Sequence, residues 1–193
     1  MRRLNGRYYA DVPNRAVALL IDLILLTVAA FVAATIVSVL GGPAVEFNTS
    51  AGTVGDAVTL DRGIATVDAV LSLLISAVYF AGTWVVVGAS PGQRLLGMRV
   101  GAKTDGAALT ARQALARWAL LGAPFGVSAV LTTAFSGLGH TIFDLAVAAW
   151  YAVLLVTTSR SPTKQGLHDR VAGSVVAKEA SPVRWDRPGI DAR

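Results

Sequence analysis

Cysteine is absent from all 193 residues, which excludes disulfides, thiolate metal sites and thiol catalysis. Histidine is nearly absent as well: with only His140 and His168, a histidine-rich metal centre is not expected. Charged residues make up 15% of the chain, where a soluble domain carries about 25%. No nucleophile–base constellation and no phosphate-cradling glycine loop stands out, so an enzyme is the weakest reading and no cofactor is expected. What is abundant is apolar: 54% of the residues are hydrophobic. The formal net charge of +5 points to nucleic acid only until its distribution is considered. Most basic residues flank apolar segments, where they orient a membrane protein and meet anionic lipid head groups.

The first apolar run, Ala16–Leu40, contains one acid, Asp22. The run is long enough to cross a bilayer as a tilted helix, for which about 20 residues suffice. A carboxylate there costs at least ~2.5–3.5 kcal/mol at the helix centre on insertion scales, so compensation is expected. Arg15, seven residues earlier, returns to nearly the same helix face after two turns. It lies roughly 10 Å away along the axis, so a third polar group is expected between them, with Arg117 the candidate.

Three further segments are long enough to span: Val67–Val87, Ala114–Phe135 and Thr141–Thr158. Gly122, Pro124 and Gly126 interrupt the third. Charge placement decides between three crossings and four. Residues 1–15 hold Arg2, Arg3, Arg7 and Arg15, and residues 89–113 hold Arg94, Arg99, Lys103 and Arg112. By contrast, residues 41–66 hold only Arg62 against Glu46, Asp56 and Asp61, and residues 136–140 hold no Lys or Arg. This alternation predicts four helices with both termini cytoplasmic. A cleaved signal peptide competes for the first run, but the run exceeds a 7–15-residue apolar region and contains Asp22, so a retained anchor is expected.

Between the second and third segments, Ser90-Pro91 suits an N-cap followed by proline at the first helical position. Arg94, Leu95, Leu96, Met98 and Arg99 then suit a short interfacial helix. Thr104-Asp105-Gly106 is a turn signal, so a hairpin of 98–103 with 107–110 is predicted, which a strand from Gly173 to Lys178 could join. These pieces would form a small cytoplasmic cap beneath an all-α four-helix membrane domain over residues 8–178. Residues 1–7 would be a basic cytoplasmic start. Residues 179–193, rich in Pro, Gly and charge, read as a disordered cytoplasmic tail.

Three stretches together resemble the RDD family of membrane proteins, named for an arginine and two aspartates. The first is Arg15-Ala-Val-Ala-Leu-Leu-Ile-Asp22. The second, Ser90-Pro-Gly-Gln-Arg-Leu-Leu-Gly-Met-Arg-Val100, is similar to the family's T-P-G-K-R-L-L-G-L-R-V. The third, Lys164-Gln-Gly-Leu-His-Asp169-Arg-Val-Ala-Gly-Ser-Val-Val176, is similar to R-Q-G-L-H-D-x-x-A-G-T-x-V. The resemblance covers about Tyr8 to Lys178 and makes Asp169 the second aspartate. The chain departs from the pattern at Gln93, where lysine is common, and at Ser90 and Ser174, where threonine is usual. Any role for charge in that loop then rests on Arg94 and Arg99. The resemblance implies transport of a small solute or exchange of a monovalent cation for protons.

The charged positions carry competing readings. Arg15, Asp22, Asp144 and Asp169 form either an ion or proton site or a set of structural ties. If Asp22 and Asp144 share the bundle interior, they make two steps of an acidic path; Asp68, at the outer end of its helix, reads as interfacial. His168-Asp169 could relay protons or tie the last loop to Arg15, Arg94 or Arg99. Ser90, Pro91, Gly92, Arg94, Gly97 and Arg99 are the motif positions of the cytoplasmic loop. Four helices leave little room for a pathway, so transport favours a homodimer. The alternative is a scaffold or regulatory subunit that binds a partner or anionic lipid.

Overall fold

The computed structural model describes residues 3–4, 7–47, 58–135 and 138–178. The tail 179–193 and most of the basic start lie outside the described residues. Helix α1 runs Val12–Gly41 and α2 Arg62–Val86 with a widened π turn at Val78–Gly82, followed by the short α3, Pro91–Leu95. Then come α4 (Ala111–Leu121), α5 (Ala123–Ala134), α6 (Leu138–Arg160) and the short α7 (Leu167–Val171). Strands are β1 (Arg3–Leu4), β2 (Arg7–Tyr9), β3 (Val45–Phe47), β4 (Val58–Leu60), β5 (Met98–Ala102) and β6 (Ser174–Lys178).

Among the described residues, α1, α2 and α6 are each long and apolar enough to cross a membrane. The α4–α5 pair, bent by 56°, makes a fourth candidate if it is one span. Helix α1 is apolar around its whole circumference, with Phe31, Val39 and Leu40 exposed. A helix of that kind belongs in lipid rather than water. Its only fully buried residues are Ala18 and Asp22, one turn apart.

The bend has a definite chemical cause. Pro124 has no N–H to offer the carbonyl of Leu120, four residues back, and its ring disfavours a continuous helix. Helix α6 supplies the missing donors. Trp150 Nε1 donates to the Leu120 carbonyl at 2.8 Å and Tyr151 Oη to that of Leu121 at 2.9 Å. Satisfied carbonyls let the break persist among apolar helices. Hydroxyls tie the rest of the bundle, with Thr66 to Thr133 at 2.7 Å between α2 and α5 and Trp118 Nε1 donating to Ser76 at 3.2 Å.

The small sheet corrects two expectations. The chain is mostly helical rather than all-α, because a four-stranded antiparallel sheet in the order β1-β2-β6-β5 closes one end of the bundle. The predicted hairpin of 98–103 with 107–110 does not form. Instead β5 pairs with β6, Met98 opposite Lys178 through Ala102 opposite Ser174. Residues 107–110 are engaged otherwise: Leu109 is buried, and Thr110 caps α4 in a capping box with Gln113. On the other edge of β6 lies β2, Tyr9 opposite Ala177. The sheet thus joins segments that precede α1, follow α2 and follow α6. At the other end, β3 and β4 form a two-stranded hairpin between α1 and α2.

Candidate functional site

Most of the buried polar residues gather at the sheet end, where two clusters form; Ser128 and Thr133 of α5 lie apart from them. Helix α1 carries Arg15 and Asp22 two turns apart, but the two do not share a partner. Asp22, 1% exposed, accepts from Tyr79 Oη at 2.7 Å and from the Gly92 backbone N–H at 2.7 Å, while Ser90 Oγ donates to its other oxygen. The third group expected between Arg15 and Asp22 is therefore not Arg117. Uncharged donors from α2 and α3 satisfy the carboxylate.

Gly92 makes this possible. A Cβ there would lie 2.2 Å from the Ala18 carbonyl oxygen and 3.0 Å from Asp22 Cγ, so only glycine lets α3 lie directly on α1. Ser90, the N-cap, forms a full capping box with Gln93, and Pro91 occupies the first turn. Gln93 Oε1 also accepts from Trp84 Nε1 at 3.1 Å. The residue that departs from the family lysine thus holds the turn in place. Gly97, at φ +67°, stands just past α3 in the left-handed region. Arg94 and Arg99 are exposed and line a cleft of about 430 Å³ with Val86 and Met98.

The second cluster centres on Asp169, which is 0% exposed. Arg15 Nη1 reaches its Oδ2 at 2.8 Å, and Arg117 Nη1 its Oδ1 at 3.0 Å. Ser174 donates to the same Oδ1 at 3.2 Å and accepts from Arg117 at 3.2 Å. Arg15 also donates to the Ala10 carbonyl at 3.1 Å, and the Arg117 guanidinium lies 4.7 Å above the Trp84 ring. His168 Nε2 stands 3.5 Å from Asp169 Oδ2. Burial, reinforced by the positive charges of Arg117 and Arg15 and opposed by Asp169, pushes the His168 pKa down to about 4. For Asp169, burial acts upward, but Arg117, His168 and Arg15 outweigh it and hold the carboxyl below its ordinary range.

A cavity of about 210 Å³ joins the two clusters. Arg15, Leu19 and Asp22 of α1 line it, with Phe80 and Trp84 of α2, Gln93, Arg117 and His168, and Tyr151, Leu154, Leu155 and Thr158 of α6. Two buried atoms of its lining residues, Arg117 Nε and His168 Nδ1, find no hydrogen-bond partner among the described residues.

The structure does not bring Asp144 to this site. Asp144 accepts from Ser128 Oγ and sits 3.2 Å from His140 Nδ1, with its side chain 47% exposed. It does not line the cavity of Asp22. Asp68 is separate again, with a buried Oδ1 that lacks a partner among the described residues. Sequence reasoning missed Tyr79, Trp84, Gln93 and Ser174. The Ser90-x-x-Gln93 capping box was legible in the sequence; Tyr79 meets Asp22, 57 residues away, and Trp84 and Ser174 meet Gln93 and Asp169, nine and five residues away, without a local motif to mark the contact.

Apolar helices of spanning length, joined at one end by a buried arginine–aspartate network, define a multi-helix protein of the membrane type. The family model described as RDD family matches residues 9–173, most of the chain, and the chain belongs to that family. No curated protein and no solved structure matches the chain.

Proposed function

We propose that this chain is a carrier for a small solute, loaded in the cavity between α1 and α6. One observation carries the reading: Arg117 Nε and His168 Nδ1 stay buried and unpaired among the described residues, on side chains that line a cavity. A purely structural ionic network satisfies its polar atoms; one that leaves two open beside a cavity is arranged for a ligand. Proton–cation exchange along an Asp22–Asp144 path has less support, because the two carboxylates lie in separate surroundings.

The chain crosses the cell membrane four times, with the sheet end in the cytoplasm. Support comes from β2, β5 and β6, which share one sheet although α1 and α2 separate the first two and α4–α6 the last two. Arg94, Arg99, Lys103 and Arg112 lie in the segment between the second and third spans, as the positive-inside rule requires. Four helices give a narrow path, so the working unit is a homodimer.

The second reading is a scaffold or regulatory subunit. It draws on Arg15 and Arg117 closing together on Asp169, which ties the first and third spans to the segment after the last. Proteoliposomes separate the two. Flux is followed with a pH-sensitive dye under sodium and potassium gradients, as current on jumps of small anions, and as inward transfer of a fluorescent short-chain anionic amphiphile. A carrier gives flux with at least one of these, and His168→Asn abolishes it in a protein that still melts cooperatively. No flux above empty liposomes overturns the carrier and leaves the scaffold.

A further inference from the structure

The charges around the cavity do not balance where they meet. Arg15 and Arg117 both close on one carboxylate, Asp169, which leaves one positive charge in excess at that end. The other carboxylate on the wall, Asp22, is engaged by Tyr79, Ser90 and Gly92, and along α1 it lies about 10 Å from Arg15. A buried unbalanced guanidinium is costly unless an anion meets it. Arg117 is 2% exposed and its Nε still has a hydrogen to donate among the described residues. The geometry therefore asks for an anionic oxygen beside Arg117. His168 Nδ1 nearby provides a position for a ligand hydroxyl.

The remaining walls are apolar: Phe80, Leu121, Leu154 and Leu155, with Leu19 of α1. Leu19 and Leu155 are 39% and 56% exposed, on helices that otherwise present apolar surface. The mouth of the cavity is thus on the surface that lipid would cover. A fully hydrated ion gains little from such walls, whereas an alkyl chain gains in proportion to the apolar area it buries.

Resting on the carrier reading above, we propose that the ligand is an anionic amphiphile, a phosphate or carboxylate head on an apolar chain, entering sideways from the leaflet at the sheet end. The head meets Arg117 and Arg15, and the chain leaves between Leu19 and Leu155. A free phosphate shares the head-group chemistry but has nothing to place against the apolar walls.

Native mass spectrometry of the full chain released from detergent tests this. The probes are dioctanoyl phosphatidic acid, dioctanoyl phosphatidylcholine and inorganic phosphate. The expected result is one phosphatidic acid per chain, held at least tenfold more tightly than the choline lipid. Leu155→Trp or Leu19→Trp should weaken it at least tenfold while leaving the melting temperature unchanged; two variants are used in case one does not fold. Equal retention of both lipids overturns the anionic head. Phosphate that competes equally, with binding indifferent to both tryptophan variants, overturns the amphiphile but leaves the cavity as a site for small anions. No binding of any probe, with flux intact in the liposome assay, overturns the amphiphile alone. No binding and no flux overturns the carrier as well.

Discussion

Replacing Gly92 with alanine puts a methyl carbon 2.2 Å from the carbonyl oxygen of Ala18, where ordinary contact begins at 3.4 Å. The obstacle is backbone in the second turn of α1, so it cannot rotate away. Helix α3 must lift by about 1 Å, which carries the Gly92 N–H beyond bonding reach of Asp22, now 2.7 Å away, and pulls Ser90 with it. Hydrogen bonds to a charged group are worth about 1.5–3 kcal/mol each. Losing two at a carboxylate only 1% exposed should destabilise the fold by about 3–5 kcal/mol. Two controls isolate the cause. At Gly97 no atom lies within 4 Å but φ is +67°, so alanine there should cost only about 1 kcal/mol for left-handed backbone. At Gly82, with open space and helical φ, alanine should be neutral or stabilise by up to about 1 kcal/mol. The assay is reversible unfolding by SDS in mixed micelles, followed by circular dichroism. A Gly92→Ala protein within about 1 kcal/mol of the parent would refute the close approach of α3 to α1 and the role given to Asp22.

Asp169→Asn leaves the buried Arg117 and the half-buried Arg15 without their carboxylate and should cost about 3–5 kcal/mol; Arg15→Gln, which leaves Arg117 on Asp169, should cost less than half as much by the same assay. A smaller loss for Asp169→Asn than for Arg15→Gln would contradict the shared carboxylate. Stability should also fall on mild acidification. With its pKa depressed from 6.5 to about 4, His168 binds its proton more readily unfolded than folded. The contribution, about 3 kcal/mol, is whole above pH 6.5 and is lost as pH falls toward 4. Asp169, also depressed, adds its own loss only in stronger acid. Melting temperatures at pH 7.5, 6 and 5 should therefore decline, and His168→Asn should flatten that decline.

The long apolar helices were legible because length and apolarity are local properties. Ala16–Leu40 falls within α1 and Thr141–Thr158 within α6. The broken third segment was legible from Gly122 and Pro124, and it bends there. The strand from Gly173 to Lys178 was legible as one that could join 98–103, and β5 does pair with it, about 75 residues onward; the nearby segment 107–110, which the Thr104-Asp105-Gly106 turn suggested, forms no strand. A turn signal shows where a chain reverses; it does not show which strand it then meets. The same limit applied at Asp22. Membrane physics demanded a partner and the obvious one was the charged Arg15, yet two hydroxyls and a backbone N–H do the work.

Those donors also relocate Asp22. Helix α1 has 30 residues, about 45 Å, against a hydrocarbon core of about 30 Å. Residues 23–41 alone supply about 28 Å. The first third of α1 can therefore lie at the boundary between head groups and hydrocarbon, and Asp22 marks the level at which the loop after α2 folds back onto it. Seen this way, Arg15 and Asp22 are two tethers on one post. Asp22 holds the segment that follows α2, and Arg15 holds the segment that follows α6. The cavity is the space left between the tethers, with Gln93 on one side and His168 on the other. An arginine and two aspartates in one protein suggest a single charged site; here they fix the separation of two segments, and the cavity is the gap they maintain. On the carrier reading proposed above, a change that shifts either tether should alter binding even where it touches no ligand, because both tethers set the width of the gap.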